Sequence, residues 1–214
     1  MNTIINISGI YDEESWTIPG AYVLDLRHLE GCCCYCDPAA EETLRRAIGG
    51  LNACGIHWID TGDYHYITKL WMEKLQEPFV LALFDNHSDD QEPGLGDILS
   101  CGSWVLAARA GLPLMKSDYL NTAVIPGDLP VYLSIDMDVL SGQFARTDWD
   151  QGVMTLDELL SAIGSIASGH RILGIDVCGG LTAAKGARAK DFCINARTRT
   201  ILADYFSSHP LLQG

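Results

Sequence analysis

Short apolar blocks alternate with helix-patterned segments along this chain, and that alternation restricts the fold more than any other feature. "AYVLDL" (21–26), "IHWID" (56–60), "FVLALF" (79–84), "VYLSID" (131–136) and "RILGIDV" (171–177) read as buried strands. The helices between them have their ends written in. Asp37 caps one whose first position is Pro38 and whose stop is Gly49-Gly50. Thr155 and Glu158 form a capping box ahead of Leu156, Leu159, Leu160, Ile163, Ile166 and Ala167, which share one face. Residues 67–75 place Ile67, Leu70, Trp71 and Leu75 on one stripe, 101–110 form a further helix, and 187–206 a closing one. Strands apolar along their length and separated by helices require a mostly parallel sheet covered on both sides, an α/β three-layer αβα sandwich. At 214 residues, a single domain spanning 1–214 accommodates it, and no linker or repeat divides the chain.

Composition narrows the function classes. An apolar fraction of 48% excludes a disordered chain. A net charge of −14 with no basic run argues against nucleic acid and against an anionic membrane surface, because nothing would neutralise the phosphates. The first residues show no basic segment followed by a long apolar one, and the apolar blocks fall far short of the roughly 20 residues that span a bilayer. Eight cysteines, three of them adjacent at 32–34, then suit a reducing compartment. The expectation is a soluble, cytoplasmic protein acting on a small molecule.

The strand ends carry the chemistry. In sheets of this class ligands sit outside the carboxyl ends of the strands. There the block 79–84 runs straight into "DNHSDD" (85–90), "VYLSI" into Asp136 and Asp138, and "IHWID" is followed by His65. Like charges this close to a core cost several kcal/mol unless a cation lies between them. His65, Asp85, His87, Asp89, Asp136 and Asp138 are too many ligands for one four-coordinate zinc and too rich in nitrogen for calcium. Two divalent ions sharing carboxylates would use the whole set, and mixed N/O ligands suit manganese among the candidates. Such a pair lowers the pKa of a shared water toward about 7.

These residues resemble the ureohydrolases, the family of arginase and agmatinase, whose ligand motifs are G-G-D-H-S, D-A-H-x-D and S-x-D-x-D-x-x-D-P. Here the motifs read "GDYHY" (62–66), "DNHSD" (85–89) and "SIDMDVLSG" (134–142), with all six ligand positions matching in type and order. The likeness runs from about residue 56 onward. It implies an arginase-like fold and two Mn2+ per chain bridged by Asp85 and Asp136, with His65 and Asp89 completing one site and His87 and Asp138 the other. Asp89 would also orient the bridging hydroxide for attack on a trigonal carbon, expelling an amine. Family members commonly form homo-oligomers.

The departures fall on the substrate side. Gln91 stands where the family has a substrate-touching asparagine, and Cys101-Gly102 where it has a proton-shuttling His-Gly. Asp176 matches a substrate-site aspartate, but the guanidinium-binding glutamate three residues later is Gly179. Losing that anchor forfeits roughly 2–5 kcal/mol of guanidinium binding, so arginine itself is not the expected substrate. Cys101 is the candidate replacement acid, and Gln91 and Asp176 are candidate substrate contacts. The cysteines at 32–36 read as small buried loop residues, since no second pair at zinc-site spacing accompanies them. A single-zinc deacetylase, which would leave three ligands idle, and a non-catalytic metal-holding protein are the alternatives to a binuclear hydrolase of amidino or amide C–N bonds.

Overall fold

A computed structural model describes residues 1–94 and 96–208. In chain order the strands are β1 (Asn2–Asn6), β2 (Tyr22–Asp25), β3 (Tyr35–Cys36), β4 (Ile56–Ile59), β5 (Phe79–Phe84), β6 (Leu99–Ser100), β7 (Met115–Leu120), β8 (Val131–Asp136) and β9 (Ile172–Cys178). The α-helices are α1 (Ile10–Glu13), α2 (Pro38–Gly49), α3 (Ile67–Met72), α4 (Trp104–Gly111), α5 (Leu156–Gly169) and α6 (Ala189–Ser208). Seven strands pair in parallel in the order β2-β1-β4-β9-β8-β5-β7, while β3 and β6 form a separate antiparallel ribbon. Strand period does the rest. In β5, Phe79, Leu81 and Leu83 enter the core beneath α2, α3 and α4, whereas Val80, Ala82 and Phe84 enter the core beneath α1, α5 and α6. Each large apolar side chain so buried contributes about 1.5–3 kcal/mol. The three-layer arrangement expected from the strand–helix alternation is present.

Local signals act as read. Asp37 Oδ1 accepts from the amides of Ala39 and Ala40 at 2.9 and 2.8 Å, and the Thr155–Glu158 capping box closes in both directions. Three strands differ from expectation. β2 lies at the sheet edge with Tyr22 and Val23 about half exposed, at 49% and 53%, so it is not buried. β1 and β7 lacked an apolar signature because polar residues such as Asn2, Lys116 and Asp118 interrupt them. The closing helix begins at Ala189 and carries the fully buried Arg199. That guanidinium donates to Glu14 Oε2 at 2.7 Å and to the carbonyl of Gly179 at 2.5 Å. Among the described residues no helix is long and apolar enough to cross a membrane.

Candidate metal centre

The four central strands, β4, β9, β8 and β5, are buried along their whole length and end on one rim. β4 leads through a 3-10 turn, Gly62–Tyr64, to His65. A Cβ on Gly62 would lie 3.0 Å from Asp136 Oδ2 and 3.0 Å from the Trp149 ring, so any larger residue would press on both side chains. β5 leads into Asp85, whose backbone N–H donates to Oδ1 of Asn121, just past β7, at 3.1 Å and whose carbonyl accepts from Asn121 Nδ2–H at 2.6 Å. Asp89 sits in the left-handed region at φ 48, which bends the loop back over the rim. β8 ends at Asp136, whose Oδ1 accepts from the Asp138 amide at 2.9 Å.

These elements bring all six expected ligands together. His65 Nδ1 lies 3.1 Å from Asp85 Oδ2, 3.1 Å from Asp89 Oδ2 and 3.7 Å from Asp136 Oδ2. Its Nε2 faces Ser134 Oγ at 2.9 Å, which leaves Nδ1 pointing into the carboxylates. His87 Nδ1 lies 2.8 Å from Asp138 Oδ2 and 3.5 Å from Asp85 Oδ1. Five of the six donors thus fall into two overlapping groups, His65–Asp85–Asp89 and Asp85–His87–Asp138, that share Asp85, and Asp136 groups with His65 and Cys178.

Electrostatics shows how badly this cluster tolerates its own charge. Burial first, and Asp136 beside it second, push the Asp138 carboxyl up to about 10. Burial and Asp85 push Asp136 up to about 6. Burial also tends to raise Asp85, but hydrogen bonds to His65 and His87 outweigh it and hold that carboxyl at about 2. Protons are therefore shared among carboxylates that cannot all ionise together. Divalent cations relieve that conflict, and spacings near 3.1 Å match the edges expected between ligands bonded at about 2.0–2.2 Å. The donor set fits a pair of divalent ions.

Around the ligands lies a cavity of about 200 Å³, lined in part by Gln91, Ser100, Cys101, Ser103, Tyr35 and Trp149. Gln91 and Cys101 are thus brought to the site. Burial pushes the Cys101 thiol up to about 12, which is poorly matched to proton transfer near neutral pH. Asp176 is not brought there. Two residues below the strand end, its carboxylate is buried in the layer beneath, taking hydrogen bonds from Tyr132 at 2.8 Å and sharing one with His57 Nδ1 at 2.8 Å. His57 in turn stacks on Trp71 at 3.7 Å. Asp176 organises the core rather than lining the cavity. Gly179 is at φ 98, and a Cβ there would meet Asp136 Oδ1 at 2.5 Å, so this backbone has no room for a glutamate.

Several contributors have no local sequence signal. Trp104 donates its indole N–H to Asp89, Asn121 pins the Asp85 backbone, and Trp149 sets its ring 6.1 Å from His87. Trp149 is held by Asp63 at 3.2 Å, itself paired to Lys185 at 2.5 Å. Of the cysteine run, Cys32 and Cys36 are buried, whereas Cys33 and Cys34 donate to the two oxygens of Asp63.

No protein-family model matches the chain. An uncharacterized protein of Thermotoga maritima is 29% identical over 195 residues, spanning 82% of this chain and 78% of its own length. Among solved structures, formimidoylglutamase from Bacillus subtilis superposes with a TM-score of 0.65 at 13% identity, over 98% of this chain and 87% of that one. A hypothetical agmatinase from Burkholderia thailandensis gives 0.64 at 18% identity, over 96% and 84%. A T. brucei arginase-like protein triple mutant bound with Mn2+ gives 0.55 at 16% identity, over 96% and 90%.

Proposed function

From the arginase-like α/β fold shared with these structures, we propose a hydrolase that uses two divalent ions, Mn2+ foremost, to cleave a C–N bond in a small amide- or amidino-type molecule. The observation that carries it is the pair of ligand groups meeting at Asp85. His65, Asp85, Asp89 and Asp136 would hold one ion, and His87, Asp85, Asp136 and Asp138 the other. Bound there, the ions supply a water of lowered pKa and positive charge for the transition state. Asp89 Oδ2 is fixed by Trp104 at 2.6 Å, and the carboxylate would orient that water for attack.

The lining of the cavity wall supports this choice of substrate class. Gln91, Ser100 and Ser103 offer neutral hydrogen-bonding groups, Glu92 adds a carboxylate, and among the described residues no lysine or arginine lines it. An anionic tail would find no counter-charge. Gly179 leaves a guanidinium without its carboxylate, so arginine is a poor fit. Gly179 and the protonated Cys101 also favour a second reading, a metal-holding protein without turnover. Metal analysis of protein stripped by chelator and reloaded with manganese, followed by an assay for ammonia, urea or amine release from amides and amidines, separates them. Two ions per chain with release that vanishes in Asp89→Asn supports the hydrolase. Two ions without release from any such compound leaves the metal-holding protein. One tightly held zinc, or no metal, overturns the binuclear centre.

A further inference from the structure

Cys178 ends β9 in register with Asp136 at the end of β8, and it is fully buried. Its Sγ lies 3.1 Å from Asp136 Oδ2, the same oxygen that His65 Nδ1 faces at 3.7 Å. Sulfur, ring nitrogen and carboxylate oxygen all lie within 4.8 Å of one another. Bonds of about 2.3 Å to sulfur and about 2.1 Å to oxygen, at right angles, would put those two atoms about 3.1 Å apart. The observed spacing, that of an S–H···O hydrogen bond, also fits two adjacent ligands of one six-coordinate ion. Asp176, two residues earlier on the same strand face, is already engaged in the core, so Cys178 is the residue by which β9 reaches the rim. The strand places a soft sulfur beside a cluster otherwise built from carboxylates and imidazoles.

We propose that Cys178 ligates the ion on the His65 side and biases that position away from manganese toward a more thiophilic divalent ion such as iron, cobalt or zinc. The inference rests on the metal centre proposed above. As the ion binds, the S–H bond breaks, its proton leaves to solvent, and a sulfur–metal bond replaces the hydrogen bond to Asp136; no electron is transferred. Thiolate ligands select softer ions, whereas carboxylates alone suit manganese. The two positions then differ in preference, and a mixed pair of ions is the natural occupancy.

The test loads chelator-stripped protein with cobalt(II) and reads metal per chain together with the sulfur-to-cobalt charge-transfer absorption in the near ultraviolet. Wild-type protein is expected to bind two cobalt ions and show the band, and Cys178→Ser to keep two ions without it. In competition, Cys178→Ser should shift its cobalt-over-manganese preference by on the order of tenfold toward manganese. X-ray absorption at the cobalt edge of wild-type protein needs no variant: a sulfur neighbour supports the ligand, and a shell of nitrogen and oxygen alone overturns it. A band that survives Cys178→Ser but is lost in Cys34→Ser overturns it as well. Two cobalt ions with no band sink the Cys178 assignment and leave the binuclear centre standing. Failure to bind cobalt or manganese sinks both.

Discussion

Trp104 donates its indole Nε1–H to Oδ2 of Asp89 across 2.6 Å. That oxygen also lies 3.1 Å from His65 Nδ1, so an aromatic side chain from α4 fixes one ligand of the centre from behind. Outer groups of this kind orient ligands that would otherwise turn away. Trp104→Phe keeps the ring in the core and removes the donor. Manganese affinity, measured by titration calorimetry, should fall by about 10–100-fold while the far-ultraviolet circular dichroism stays unchanged.

The metal-free protein should lose stability as pH rises. Asp136 is pushed up to about 6 and Asp138 to about 10, both by burial first and a neighbouring carboxylate second, from an ordinary value of 3.8. A carboxyl raised in the folded state favours folding fully below its unfolded pKa, and that contribution is lost as pH climbs through the folded one. Tm in the presence of chelator is expected to drop between about pH 5 and about pH 9, and manganese to abolish most of that slope. A Tm of the stripped protein that rises over this window would refute the charge conflict inferred at the rim.

Gly179→Ala probes the close approach beside Asp136. At φ 98 the new Cβ would lie 2.5 Å from Asp136 Oδ1 and 2.9 Å from the Met137 amide. Strain of this type costs about 1–3 kcal/mol, and manganese binding should weaken with it because Asp136 is displaced. Gly20→Ala, at φ 77 with open space around it, isolates the conformational part alone and should cost about 1 kcal/mol. Urea unfolding of the two variants in parallel reads the difference.

Thiol labelling should divide the cysteines by environment. Cys33, Cys54 and Cys193 are exposed, whereas Cys32, Cys36, Cys101 and Cys178 are buried. Burial pushes Cys36 and Cys101 up to about 12, so their reactive thiolates are scarce at neutral pH. Brief treatment of native protein with iodoacetamide near pH 7 should modify the exposed three first, as counted by peptide mass. Early modification of Cys101 would contradict the packing of the cavity wall.

The fold was most legible where side-chain chemistry repeats over many residues. Phe79–Phe84 and Val131–Asp136 match their blocks end to end, because strands buried on both faces are apolar at nearly every position, with Ser134 and the terminal Asp136 the exceptions. Edge strands escape that logic. Met115–Leu120 carries Lys116 and Asp118 and still pairs with β5, since one side of it meets solvent. The clustering of the six candidate ligands was legible because each lies at a strand's carboxyl end or just beyond it, where parallel sheets collect function. Asp176 misled for a period-2 reason: it shares a face with Cys178 yet sits one layer deeper. Trp104, Asn121 and Cys178 gained their roles from chain segments far away in sequence, which no local spacing records.

Arg199 gives the rim a timetable. Its guanidinium, buried in α6, holds the carbonyl of Gly179 at 2.5 Å, and Gly179 is packed against Asp136. Synthesis from the amino terminus delivers His65, Asp85, His87, Asp89, Asp136 and Asp138 long before this clasp exists. A nascent chain on the ribosome therefore carries all six rim residues before the clasp that holds Gly179 beside Asp136, and that clasp forms only once α6 has emerged and docked.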